Sequence, residues 1–157
     1  MKDKIKNLRE LIKIVDFHRK EGKKIVFTNG CFDLIHIGHV RCFREGKKCG
    51  DILIAALNSD RSVRSIKGFS RPIVPQNERA EVLAALECVD YITIFDQDDP
   101  LEIITAIKPD ILIKGGDWDL DTIIGRDVVK SYGGKVFALP LLPGVSTTQT
   151  IKNISMK

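Results

Sequence analysis

Long apolar runs are missing from this chain. The longest, ILIAAL at 52–57, is far short of the roughly 20 residues a helix needs to cross a bilayer, so no membrane partner is expected. The N-terminus, MKDKIKNLRE, mixes both signs of charge and lacks the apolar core of a secretory signal, so export by that route is not expected. Cysteine is sparse: Cys31, Cys42, Cys49 and Cys88 include no CxxC pair, and 157 residues bury enough surface to fold without a covalent staple. The four read as reduced thiols in a cytoplasmic protein. Neither a Walker motif nor GxGxxG occurs, so a phosphate would need another device to hold it. No internal repeat or low-complexity tract breaks the chain, and residues 1–157 read as a single domain.

What is present is an ordinary globular composition, 43% apolar and 29% charged, with one local bias. Residues 1–24 hold nine Lys/Arg against four Asp/Glu, more than the whole net charge of +4. Phe17 is the one Phe, Tyr or Trp there, with no series interleaved for base stacking, so the bias reads as a solvated helix face and no nucleic-acid partner is expected.

Ile5, Leu8, Leu11, Ile12 and Val15 form an apolar stripe at helical spacing. It predicts an amphipathic helix over 4–20, within an N-terminal segment 1–22, ahead of a core at 24–157. From residue 25 onward the pattern changes to short aliphatic runs: KIVFT, DILIAAL, YITIF, DILIK and KVFALPL are the strand candidates. Helices are expected near 38–49, 76–88, 100–107, 121–132 and from about 147, with Val82, Leu83 and Leu86 inward in the second of these. Asp99-Pro100 predicts an N-cap with proline at the first helical position. Cys49-Gly50 and Gly133-Gly134 predict helix ends in which glycine takes the left-handed conformation. Strand and helix alternating five times imply an α/β doubly wound parallel sheet, Rossmann-like, in the order 3-2-1-4-5 with helices on both faces. A ligand in such a sheet sits beyond the carboxyl ends of the strands where the order reverses. The loops after the first and fourth strands, GCFDLIHIGH (30–39) and KGGDW (114–118), then face one crevice.

A helix starting near Ile37 or Gly38 would point backbone N–H groups and its positive dipole end at that crevice. His36 and His39 would lie on one side of its first turn, with Gly38 leaving room for a ligand. Two imbedded imidazoles there suit a polyphosphate, whose non-bridging oxygens gain charge during phosphoryl displacement. Two other readings of the residues stay open. Cys31, His36, His39 and Cys42 make C-x4-H-x2-H-x2-C, a set of potential zinc ligands, and the histidines could be packed and satisfied like any others.

The motif GCFDLIHIGH resembles the signature of the HxGH nucleotidyltransferases. NSDRSV at 58–63, KGFSRPIVP at 67–75, NERAEVLAALECVDYITIF at 77–95, KGGDW at 114–118 and GVSTT at 144–148 follow in the order and spacing of the nucleotidyltransferase domain of ADP-heptose synthases. The resemblance runs from residue 24 to the C-terminus. It implies AMP transfer from ATP to D-glycero-D-manno-heptose 1-phosphate, with release of pyrophosphate and Mg2+ entering with the triphosphate. It also implies a homodimer, since members of the family often pair.

Carried over motif by motif, the resemblance makes His36, His39 and Lys67 the catalytic set. Asn29, Gly30, Cys31, Phe32, Gly38, Gly115, Asp117, Trp118, Ser146, Thr147 and Thr148 would bind the nucleotide, with GVSTT on the β and γ phosphates. Asp33, Asn58, Arg71 and Arg79 would bind the substrate; no metal ligand is assigned to a side chain. Bland readings stand beside several of these. Lys67 and Arg71 could be solvated loop charges, Asp33 a turn cap, Ser146 a plain N-cap, Trp118 rim packing, and Arg79 a partner for Glu78 or Glu81.

Two departures qualify the resemblance. The bifunctional synthase carries a sugar kinase ahead of this domain, so a stand-alone version is expected here, its 1-phosphate made by a separate chain. Glycerol-3-phosphate cytidylyltransferases, similar through FDLIH, DYITI and GDW, have Arg-Thr-Glu where this chain has Leu141, Leu142 and Pro143, which argues against CTP. An FMN adenylyltransferase and a non-catalytic nucleotide-binding module remain as alternatives.

Overall fold

Alternation of buried side chains to both faces of each strand builds the sheet. In β1 (Ile25–Gly30), Ile25 and Phe27 go to one side and Val26 to the other, all fully buried. The computed structural model describes residues 2–116, 119–140 and 144–156. Around β1 lie β2 (Ile52–Asn58), β3 (Tyr91–Phe95), β4 (Ile111–Gly115) and β5 (Lys135–Leu139), all parallel, in the expected order β3-β2-β1-β4-β5. Leu11 and Val15 of α1 (Leu8–Lys20), Ile104 of α5 (Leu101–Ile107) and Val129 of α6 (Arg126–Ser131) pack with Ile25, Phe27, Ile54 and Leu112. Phe43 of α2 (Ile37–Lys48) and Leu83 of α4 (Gln76–Ala84) pack with Val26, Leu53, Leu57 and Ile113 on the opposite face. The remaining helices are α3 (Asp60–Lys67) and α7 (Thr147–Ser155).

The structure corrects several expected boundaries. α1 begins at Leu8, not residue 4, because Asn7 and Glu10 form a reciprocal capping box. Ile5 instead bridges to Ile92, and the Lys6 N–H donates to the Ile92 carbonyl at 2.8 Å, so the N-terminal segment covers the outer edge of β3. α3 was not anticipated: Ser59 caps it, accepting from the Ser62 N–H at 3.1 Å. It makes Lys67 the last residue of a helix and not part of a free loop. The helix expected over 121–132 splits into a 3-10 turn, Leu120–Thr122, and α6, with Gly125 at φ 90 between them. α4 ends at Ala84, and Val82 within it lies on the outer face, about half exposed and not inward. Pro100 is itself the cap residue of α5, and Asp99 accepts from the Leu101 N–H at 2.9 Å. Gly133 has the predicted left-handed φ, 88. Gly50 does not; its space is taken by Val26 and the Lys24 carbonyl, which a Cβ would meet at 2.7 and 3.0 Å.

Candidate active site

β1 and β4 are neighbours although far apart in sequence, so their carboxyl ends form the switch point, and the loop 31–36 lies over it. Phe32 turns this loop with φ 45, a left-handed conformation that strains a residue with a Cβ by about 1 kcal/mol or more. Its ring folds back over Gly30, where a Cβ would lie 3.0 Å from Cζ, and stands edge-on to His39 with centroids 5.4 Å apart. Phe32 is therefore a buried support against His39.

His36 is the cap residue of α2 and His39 lies in its first turn. Their rings stack with centroids 3.8 Å apart and 21° between planes. The His36 backbone N–H donates to Nδ1 of His39 at 3.4 Å. That bond assigns the proton of neutral His39 to Nε2. Burial and the neighbouring His36 hold His39 at about 4, and burial also holds His36 below the usual imidazole range. Both rings are thus neutral near pH 7. Nδ1 of His36 is buried without a hydrogen-bond partner among the described residues. Gly38 is needed by this arrangement itself: a Cβ there would lie 3.0 Å from Nδ1 of His36.

The start of α7 joins the same place. Thr147 Oγ1 donates to the Leu34 carbonyl at 3.3 Å, and Val145 lies over Gly38. The Ser146 hydroxyl caps its own helix, accepting from the Gln149 N–H at 3.1 Å. With both hydroxyls engaged, what Ser146 and Thr147 present to an anion is the N–H groups of a helix start; Thr148 is exposed beside them.

Asp33, Asn58, Arg71 and Arg79 are all engaged by neighbouring protein groups. The Asp33 side chain is 0% exposed and accepts from Arg71 Nε and from the Ile73 and Val74 N–H groups. Burial alone would push this carboxyl up, but the N–H groups of Val74 and Ile73 and the Arg71 guanidinium hold it below the usual range. Arg79, also fully buried, pairs with Asp60 at 2.7 Å and donates to the carbonyls of Val74 and Cys31. Neither Glu78 nor Glu81 is its partner. Asn58 donates to Ser62 Oγ at 2.9 Å. These residues brace the segment 68–76 and the start of α3 against the loop after β1.

Lys67 stays exposed at the end of α3. Lys114, the residue that sequence reasoning passed over, is the penultimate residue of β4 and half-buried, and its partners include the Asn29 carbonyl at 3.3 Å and Oδ1 at 3.4 Å. Its signal was available: a lysine near the end of the otherwise apolar strand ILIKG. Gly115 permits α2 to approach, since a Cβ would lie 2.9 Å from Cys42 Sγ. Burial pushes the Cys42 thiol up to about 11. Among the described residues no three His, Cys, Asp or Glu side chains gather to hold a metal ion, so the C-x4-H-x2-H-x2-C zinc set does not form. Asp117, Trp118, Leu141, Leu142 and Pro143 lie outside the described residues.

Known proteins match this arrangement. Bifunctional protein HldE of Geobacter metallireducens is 52% identical over 151 residues, 96% of this chain and 31% of that protein. Its counterpart in Syntrophotalea carbinolica is 50% identical over 148 residues, 94% and 30%. The chain spans under a third of the length of these curated relatives. The crystal structure of the lipopolysaccharide core biosynthesis protein from Thermoplasma volcanium is 27% identical, with TM-score 0.63, covering 77% of this chain and 98% of that one. A pantoate-beta-alanine ligase from Francisella tularensis, 16% identical with TM-score 0.68 over 95% of this chain and 72% of that one, shares the fold. The family model Cytidylyltransferase-like matches residues 27–153. With this match over an HxGH loop at the switch point, the chain belongs to the cytidylyltransferase-like family and is a nucleotidyltransferase.

Proposed function

We propose that the chain transfers AMP from ATP to D-glycero-D-manno-heptose 1-phosphate, giving ADP-heptose and pyrophosphate. A phosphate oxygen of the sugar attacks the α-phosphorus; the bond from that phosphorus to the bridging oxygen breaks, and its electron pair leaves with pyrophosphate. The observation that carries this reading is the stacked, neutral His36–His39 pair at the start of α2, tied through Thr147 and Leu34 to the start of α7.

Each part has a physical task. The Nε2–H of His39 and the ring of His36 meet phosphate oxygens whose charge rises as the bond breaks, the kind of stabilisation typically worth about two to three orders of magnitude per donor. The N–H groups opening α7 hold the β and γ phosphates, and Lys67 neutralises charge on the departing pyrophosphate. The braced 68–76 segment keeps that side of the crevice in place.

The family generally uses a divalent ion with its triphosphate, and we take it to be Mg2+. The described residues build no cage for it: Asp33 is closed by Arg71 and the backbone, and no metal-ligating cluster forms among them. The ion fits as a companion of the triphosphate and not as a resident of the protein, and no step above depends on it.

The four cysteines are free thiols, and among the described residues no helix is long and apolar enough to cross a membrane. We place the enzyme in the cytoplasm, where ATP is made and thiols stay reduced. The relative named for lipopolysaccharide core biosynthesis fits a pathway that consumes ADP-heptose.

The test is pyrophosphate release from a matrix of ATP and CTP against heptose 1-phosphate, glycerol 3-phosphate and FMN. Turnover with ATP and the heptose phosphate is expected. Turnover confined to CTP with glycerol phosphate, or to ATP with FMN, would replace this substrate assignment, and no turnover with any pair would favour a binding module.

A further inference from the structure

Nucleotidyl transfer to a phosphate ester brings two polyanions together, and the residues assigned so far supply little net charge to meet them. The two imidazoles are neutral near pH 7. The guanidiniums of Arg71 and Arg79 are paired with Asp33 and Asp60. Lys67 approaches from the end of α3, on the β2 side of the loop after β1.

Lys114 comes from the other side. It sits at the carboxyl end of β4, next to the central strand, and its ammonium reaches Asn29 at the carboxyl end of β1. The two lysines therefore flank the loop after β1, whose Cys31 thiol feels both, along with Arg79 and Arg71. Burial pushes the Lys114 ammonium below the usual lysine range; the Cys31 and Cys42 thiols act against this, and Lys67 adds to it. An ammonium held at the carboxyl end of a strand beside the switch point, against the residue that opens the histidine loop, is placed to meet an anion bound there.

We propose that Lys114 is a further anion-binding residue of this site, its ammonium taking a phosphate oxygen of the reacting pair at the crevice floor while Lys67 acts from across the loop. The proposal rests on the nucleotidyl-transfer reading. The phosphate comes either from the nucleotide or from the acceptor, and binding measurements separate the two.

Wild type, Lys114→Met and Lys114→Arg are titrated calorimetrically with a non-hydrolysable ATP analogue plus Mg2+, and separately with heptose 1-phosphate, and each protein's Tm is recorded. The Met variant is expected to bind at least one ligand about ten- to hundredfold more weakly, the loss typical of one charge-assisted hydrogen bond. Arg is expected to restore most of the affinity. The arm that weakens names the phosphate. Affinities within about twofold of wild type in both arms, or equal losses in Met and Arg accompanied by a lower Tm, would overturn the proposal. A wild type that turns over a different pair in the substrate matrix would overturn the heptose assignment instead, and the Lys114 comparison then uses that pair.

Discussion

The backbone N–H of His36 donates to Nδ1 of His39 while the two rings stack 3.8 Å apart. One residue thus caps α2, orients its partner and selects that partner's tautomer. His36→Ala or His39→Ala should lower kcat by about two to three orders of magnitude, the range for removing one transition-state donor. The far-ultraviolet circular dichroism of both variants should match wild type. An unchanged kcat would remove the histidines from the chemistry.

The same burial makes the pair sensitive to acid. His39 is held at about 4 in the folded chain against about 6.5 when unfolded. The unfolded chain therefore binds the extra proton first, and stability is lost as pH falls from about 6.5 towards about 4. Wild type should show a Tm that declines through this window, and His39→Gln a shallower decline. A triphosphate beside the rings favours the protonated form, so binding near pH 6 should take up protons, visible as a calorimetric enthalpy that depends on buffer ionisation.

Gly38→Ala sets two effects against each other. Alanine favours the helix by up to about 1 kcal/mol, but its Cβ would lie 3.0 Å from Nδ1 and 3.1 Å from Cε1 of His36. The ring, being a side chain, moves and the helix stays. Tm should hold or rise while kcat falls about a hundredfold, the penalty for a small misplacement of a catalytic group.

Asp33→Ala would leave Arg71 and two backbone N–H groups without their acceptor. Removing one partner of a buried pair costs about 3–5 kcal/mol, to be read from urea denaturation. Asp33 is held below its ordinary value, so the stabilisation it contributes is present at neutral pH and disappears as pH drops through the acidic carboxylate range. The Asp33→Ala variant should lack that part of the acid dependence.

The sheet order was legible because five aliphatic runs alternate with helical segments and each parallel crossover has one favoured hand. The histidine loop was legible because HxGH follows a strand and opens a helix. α3 was hidden: DRSVRSIK is eight residues long with only Val63 and Ile66 apolar, so the Ser59 cap and the packing of Val63 decide its fold. The roles of Asp33 and Arg79 were hidden for another reason. Their partners, Arg71 and Asp60, lie 38 and 19 residues away in sequence, and no local pattern announces a pairing that the tertiary fold creates. Lys114 carries no local sign of its place, since only the neighbouring of β1 and β4 sets it beside Asn29.

The account centres on where the nucleotide's phosphates sit. A crystal structure with a non-hydrolysable ATP analogue tests this most directly: the α-phosphate should lie within hydrogen-bond distance of His39 Nε2 and the His36 ring, with the outer phosphates at the start of α7. Phosphates lodged away from both helix starts would contradict it.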